Sequence, residues 1–342
     1  MKILITGGAG FIGSNLALYL LEKKHQVVAL DNLRFGYLEN LTSKNNLNPQ
    51  FIQMDVRDRK IEKVIKNIDV IFHFAGMNSL PACQSDPVET FSVNIIGTTN
   101  VLEIARKCNI RRVIFSSSSA VYENEKSFPL TENMQVNPTL AYSLSKKSAE
   151  EICRTYQELY DMDIVIFRFF NVYGPHMDFR RPNPPFISYI LASLLRDRVP
   201  VLHSDGNQAR DMIYIDDVLR LCEIVLNHKN AKNQTFNAGS GKSFSINEIY
   251  KQVATSLGKE KIKPIFRKPS LLWDTYPNLF KGEFPLQKSF VEDEVHRYTL
   301  ASIKKAKKLL NWNPKVSIVQ GLKKTVKFAA QNYKNIFTPS PL

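Results

Sequence analysis

The 342-residue sequence predicts an α/β fold, a doubly wound parallel sheet with a smaller C-terminal lobe, and three observations carry that reading. A glycine-rich turn, Thr6-Gly7-Gly8-Ala9-Gly10-Phe11-Ile12-Gly13, separates the apolar run Ile3-Leu4-Ile5 from an amphipathic stretch, Ser14 to Lys23. Apolar runs then alternate with helical patterns through the first two thirds of the chain, the rhythm of a parallel sheet covered by helices on both faces. The length suits one large domain with an appended lobe better than three small ones.

In order, Val27 to Leu30, Phe51 to Met54, Val70 to Phe74, Val113 to Ser116 and Ile164 to Phe169 read as strands. Pro87 to Cys108 and Ala141 to Tyr160 read as long helices. After Asn171-Val172-Tyr173-Gly174-Pro175 the rhythm changes: Arg181-Pro182-Asn183-Pro184-Pro185 is a stiff loop, and Lys259 to Arg297 carries few regular signals. The expected division is residues 1–172, with returns from about 208–240, and 173–342 for most of the lobe, interleaved without a clean linker. No internal repeat or low-complexity tract interrupts it.

Gly8, Gly10 and Gly13 fit G-x-G-x-x-G between a strand and a helix. Such a turn is tight, lets a pyrophosphate approach bare backbone, and offers it the positive helix N-terminus. The cleft of such a fold lies at the carboxyl ends of its strands. Asp31 stands eighteen residues past Gly13, at the end of the next apolar run, where a carboxylate accepts hydrogen bonds from ribose hydroxyls and repels a 2′-phosphate. The expected cofactor is therefore NAD rather than NADP, with Arg34 a small counterweight.

Tyr142 and Lys146 stand four apart on one expected helix face. A phenol is a poor base at neutral pH, but an adjacent cation, reinforced by an oxidised nicotinamide, favours the phenolate, so Tyr142 could take a proton from a sugar hydroxyl while hydride leaves the same carbon. Ser118 lies in Phe115-Ser116-Ser117-Ser118-Ser119-Ala120-Val121-Tyr122, at the carboxyl edge of a strand, where its hydroxyl can orient the reacting group.

On these residues the chain resembles the extended short-chain dehydrogenase/reductase superfamily, and within it the UDP-galactose 4-epimerase and nucleotide-sugar epimerase/dehydratase group. Further similar segments include His73-Phe74-Ala75-Gly76, Arg168-Phe169-Phe170-Asn171, Arg210-Asp211-Met212-Ile213-Tyr214 and Leu309-Leu310-Asn311-Trp312. The resemblance implies a Rossmann domain and a nucleotide-sugar-binding lobe. It implies that Gly7, Gly10, Phe11, Ile12, Gly13, Asp31, Asn32, Asp55, Val56, Phe74, Ala75, Gly76, Asn94, Tyr142, Lys146 and Phe169 bind the cofactor, Asn94 also bracing the site. Lys146 would bind the nicotinamide ribose, and Ser118 with Tyr142 would carry the proton chemistry. Ser79, Ser118, Asn171 and Arg210 would meet the nucleotide-diphosphate sugar, Asn171 and Arg210 at its diphosphate. A homodimer through the helices near Pro87 to Cys108 and Ala141 to Tyr160 is also implied.

Departures from the pattern narrow the reaction. The group's 4,6-dehydratases carry two acidic residues where Ser119 and Ala120 stand, and decarboxylating relatives use a glutamate at the Ala120 place. A methyl group cannot take a C5 proton, so redox-neutral 4-epimerisation is the leading reading. Asn78, Glu123, His176 and Ser302 also differ from the usual residues, and no arginine stands just before Glu292-Asp293-Glu294. The base and sugar therefore remain open. Trp273 reads as a lobe-core residue in preference to a base-stacking one.

The formal net charge of +14 raises a different function class. From Leu300 onward there is no acidic residue, while lysines stand at 304, 305, 307, 308, 315, 323, 324, 327 and 334. They suit a polyanion or a field that attracts a diphosphate. The preferred reading is a solvated helix face opposite an apolar stripe of Ile318, Val319, Leu322, Val326 and Ala329. No specific nucleic-acid binding is expected. A dehydrogenase that releases a keto sugar, and a non-catalytic polyanion-binding relative, are the alternatives. Cys83, Cys108, Cys153 and Cys222 are isolated, which predicts reduced thiols, no metal site and a cytoplasmic protein. Met1-Lys2 runs directly into the first strand, so no signal peptide is expected, and no apolar run is long enough to span a bilayer.

Overall fold

The structure, a computed structural model, describes residues 1–43, 47–181 and 183–332. Its sheet and helical elements begin β1 (Lys2–Thr6), α1 (Phe11–Glu22), β2 (Gln26–Asp31), β3 (Gln50–Gln53), α2 (Ile61–Val64), β4 (Val70–His73), α3 (Leu80–Ser85), α4 (Pro87–Phe91) and α5 (Gly97–Lys107). They continue β5 (Arg112–Ser118), α6 (Ala141–Tyr160), β6 (Ile164–Phe169), β7 (Asn171–Tyr173), α7 (Phe186–Leu195), β8 (Val201–His203), β9 (Ala209–Tyr214) and α8 (Ile215–Val225). The last are β10 (Thr235–Ala238), β11 (Ser243–Ser245), α9 (Ile246–Leu257), β12 (Ile265–Arg267), α10 (Lys288–His296), α11 (Lys304–Leu310) and α12 (Ile318–Gln331).

Seven strands form a parallel sheet in the order β10-β6-β5-β4-β1-β2-β3. Strand alternation explains why their sequences are nearly continuous apolar runs: both faces are buried. Ile3, Ile5, Val27 and Ala29 join one core with Leu16 and Leu20 of α1 and Val218 and Leu221 of α8. Leu4, Val28 and Leu30 face the other way, into a core with Val101 and Leu102 of α5 and Ala149 of α6. The strand order reverses between β1 and β4, where Thr6 pairs with His73, so the loops after these strands part and open a crevice. Outside this sheet lie a three-stranded sheet, β11-β9-β7, and the pair β12-β8.

The segment from Pro87 to Cys108 is not one regular helix. A π turn, Ser92–Ile96, separates α4 from α5 and carries Asn94. Hydrophobic periodicity does not register one extra residue in a turn, whereas the structure shows its use: the turn aims a polar side chain at its neighbours. Within 259–297, which has little periodic signal, the chain forms β12, two 3₁₀ turns and α10. Trp273 is buried there with Leu140 and Val291. In α12, Leu322, Val326 and Ala329 face the core as expected, but Val319 is exposed because Gly321 and Thr325 complete the buried stripe. Lys334 lies outside the described residues.

Candidate active site

A cleft of about 410 Å³ runs along the carboxyl ends of β1, β4 and β5. At its floor Gly7 adopts φ +68°, a left-handed conformation that favours glycine. A Cβ on Gly13 would stand 2.1 Å from the Gly7 carbonyl oxygen, so α1 packs on β1 only because that position is bare. At Gly10 a Cβ would meet, among the described residues beyond its chain neighbours, the Gly7 carbonyl oxygen at 3.2 Å. Gly10 also caps α1 without a side-chain hydrogen bond, and the first turn holds no acidic residue. The first turn of the helix therefore supplies no anion of its own, and it faces a cleft with room for one.

Asp31 ends β2 beside this turn. Its carboxylate accepts from Ala9 N at 3.0 Å and Leu33 N at 2.8 Å, while burial raises its pKa against those backbone bonds. Arg34 also lines the cleft, but its guanidinium is paired with Glu89, which opposes its use for a 2′-phosphate. Asp55 is gripped by Arg57 through two 2.8 Å bonds and by Asn32 at 2.9 Å, which hold its carboxyl well below the usual range. Gly7, Gly10, Phe11, Ile12, Gly13, Asp31, Asn32, Asp55, Val56, Phe74, Ala75, Gly76 and Phe169 all line the cleft. The glycine cradle, the open helix terminus and the carboxylate after β2 fit a dinucleotide.

Asn94, expected at the cofactor, does not line the cleft but lies buried behind its wall, where protein groups take its amide. It donates to Met77 O at 3.0 Å and Ser145 Oγ at 2.9 Å, and accepts from Met77 N at 2.8 Å. Those bonds tie the loop after β4 to α6, one residue from Lys146. Gly76 is bare where a Cβ would meet Asn94 Oδ1 at 2.9 Å and Lys146 Nζ at 3.2 Å.

β5 extends two residues beyond its apolar run, carrying Ser117 and Ser118 into the cleft. Ser118 Oγ accepts from Ala120 N at 3.1 Å and starts a 3₁₀ turn, Ser119–Tyr122. Tyr142 and Lys146, on the first turns of α6, line the same space. The phenol is pushed up to about 12 by burial, an effect that Ser118 and the charges of Arg181 and Arg297 offset only in part. The Lys146 ammonium donates to Ser116 O at 2.8 Å, and burial brings its own pKa down to about 8. The expected activation of the phenol by a cation and an oxidised nicotinamide thus has to work against a burial penalty that spacing could not reveal.

Among the residues expected at the substrate, Ser118 and Asn171 line the cleft, whereas Ser79 and Arg210 do not line it. Ser79 precedes α3, and Asn171 donates to Asp211 O at 3.0 Å. Arg210 is turned to the end of α10, donating to Glu294 O at 2.7 Å and Val295 O at 3.3 Å. Its consequence is indirect: it anchors the helix end that brings Glu294 and Arg297 to the cleft. Arg297 and Arg181 are the guanidiniums that sequence reasoning missed. Arg297 donates to Ser119 O and pairs with Glu294 at 3.3 Å; Arg181 donates to Asn78 Oδ1 at 2.8 Å. The signal for Arg297 was an arginine three residues after Glu294 instead of just before Glu292.

A doubly wound sheet with a glycine-rich first turn, and a Tyr142, Lys146 and Ser118 set beside it, defines a dinucleotide-binding enzyme of the extended short-chain dehydrogenase/reductase class. The sequence pattern of the NAD dependent epimerase/dehydratase family matches residues 3–239, and the chain belongs to that family. It is 35% identical to the putative UDP-glucose 4-epimerase of Methanocaldococcus jannaschii, across 96% of this chain and 99% of that one. The crystal structure of UDP-glucose 4-epimerase from Thermotoga maritima with UDP-glucose matches with a TM-score of 0.85 at 30% identity, covering 97% of this chain and 100% of that one. UDP-glucuronic acid 4-epimerase from Bacillus cereus, in complex with UDP-glucuronic acid and NAD, matches at a TM-score of 0.81 and 30% identity, with 97% and 100% coverage. The protein is thus an NAD-dependent enzyme of the nucleotide-sugar epimerase/dehydratase group.

Proposed function

We propose that this protein is a nucleotide-sugar 4-epimerase in which Tyr142 exchanges the C4 hydroxyl proton. The glycine turn, the N-terminus of α1 and Asp31 would hold NAD, which would supply the acceptor and donor for the C4 hydride and a positively charged ring. Tyr142, as phenolate, accepts the proton of the C4 hydroxyl, which Ser118 orients, and returns it to the same oxygen as hydride comes back to C4 from the other face of the turned keto sugar. Lys146 holds the ribose side of the site through the same ammonium that binds Ser116 O. Arg297, Arg181 and Asn171 hold the phosphate and sugar oxygens from the other wall, a task suited to guanidinium forks.

The observation that carries this reading is Ala120, a buried cleft residue beside Ser118 where the group's dehydratases hold a carboxylate. The carboxylates nearest in role are already engaged, Asp178 with Arg181 at 3.7 Å and Glu294 with Arg297 at 3.3 Å. A homodimer through α5 and α6 is part of the proposal, supported by exposed Val88, Ile96, Leu144 and Leu159 on or beside these helices.

Turnover of UDP-glucose, UDP-glucuronic acid and their N-acetyl analogues in deuterium oxide, read by NMR, tests it. The expected product is inverted at C4, retains a deuterium first placed at C4, carries no solvent deuterium at C3, C5 or C6, and leaves no net NADH. Solvent hydrogen at C6 with a keto product, or stoichiometric NADH, would replace 4-epimerisation by dehydration or dehydrogenation.

A further inference from the structure

We infer that Glu123 is a positioning residue that clamps the Ser118 turn to the start of the Tyr142 helix. The inference rests on the roles proposed above for Ser118 and Tyr142. The first N–H groups of a helix need partners from outside it. At α6 the flanking residue is Leu140, whose side chain cannot supply one, and the first turn holds no acidic residue. Other parts of the chain supply the partners: Gln84 Oε1 accepts from Ala141 N at 3.0 Å, while Glu123 Oε1 accepts from the flanking Leu140 N at 2.9 Å, from Thr139 N and from Thr139 Oγ1 at 2.8 Å.

Glu123 is also the residue that closes the 3₁₀ turn begun by Ser118, donating its own N–H to Ala120 O at 3.0 Å. One carboxylate therefore joins the two segments that carry the reacting hydroxyls, across a separation of sixteen residues. Its charge sits at the positive end of a 20-residue helix, where an anion is favoured. Tyr142 is the second residue of that helix, so movement of the 139–140 segment moves the phenol directly. Glu123 does not line the cleft, and its effect on the reaction passes through geometry alone.

The test compares Glu123→Ala and Glu123→Gln with the unaltered protein, each loaded with NAD. Glu123→Ala should lower kcat about ten- to a hundredfold, because small displacements of reacting groups are costly, while KM and NAD affinity change less than about twofold. Amide hydrogen exchange should rise at 139–146 and stay unchanged in β1 and α1. Glu123→Gln, which keeps an oxygen acceptor, should recover most of kcat. Unchanged kcat and unchanged exchange in Glu123→Ala would overturn the inference, as would equal loss of kcat, NAD affinity and exchange protection throughout the sheet. If the unaltered protein inverts no C4 centre, the proposed function falls by itself, and exchange at 139–146 alone decides the role of Glu123.

Discussion

Tyr142 pairs a reactive role with an environment that opposes it. Burial holds its hydroxyl up at about 12, so ionisation depends on positive charge nearby, to which Arg181 and Arg297 contribute. Tyr142→Phe removes the exchangeable proton and little packing volume; turnover should fall at least about a hundredfold with NAD affinity unchanged, as steady-state kinetics and calorimetry would show. Lys146 makes a separate prediction. Its folded pKa, about 8, lies below its ordinary 10.5, so below pH 8 the buried ammonium carries its full penalty. Between these values the folded chain gives up the proton first, the unfolded chain binds more protons, and stability rises with pH. Relative to Lys146→Met, the protein should gain on the order of 3 kcal/mol across that window. Denaturant unfolding of both at pH 7.5 and pH 10 checks the sign; a gap that moves the opposite way contradicts it.

At the scale of elements, the site depends on how closely β1, α1 and α6 approach one another. The contact between Gly13 and the Gly7 carbonyl leaves no room for a methyl, since the obstructing atom is backbone. Gly13→Ala should therefore destabilise the protein by about 1–3 kcal/mol and push α1 off the strand, with loss of NAD affinity. Isothermal titration with NAD beside thermal unfolding measures both; undiminished affinity would show that the helix terminus does not hold the pyrophosphate. The π turn between α4 and α5 is a second such dependence, because it delivers Asn94 to Met77 and Ser145.

Over the whole molecule, the +14 charge is spread on surfaces that the fold needs for other reasons. Lys323, Lys324 and Lys327 stand exposed on α12, opposite buried Leu322, Val326 and Ala329, and Lys324 pairs with Asp216 at 3.0 Å. Lys305 lies over the Phe236 ring at 5.6 Å. Such a surface should attract polyanions only through bulk charge. Any binding to RNA should lose most of its strength between 50 and 200 mM salt, roughly, and show no preference among sequences of equal length. Fluorescence anisotropy with several oligonucleotides checks this, and sequence-selective binding that survives the higher salt would reverse it. Among the described residues no helix is long and apolar enough to cross a membrane.

What local chemistry alone specifies was legible in the sequence. Strands β1, β2, β4, β5 and β6 were visible because strands buried on both faces are unbroken apolar runs, and α6 because its stripe repeats every turn. The glycine turn with Asp31 pointed to NAD, and the spacing of Tyr142 and Lys146 together with Ser118 pointed to proton transfer, because these are short-range patterns. The tertiary structure decided what depends on distant residues meeting. It turned Arg210 onto α10 and set Arg297 and Arg181 at the cleft, contacts spanning 84 and 103 residues in the first and last cases. It also raised the Tyr142 pKa through burial and let Glu123 cap a helix that starts eighteen residues later. Spacing along a chain encodes neighbours within a turn or a strand. Desolvation and long-range hydrogen bonds depend on how the packed elements enclose a site, and that enclosure exists only once the sheet has closed.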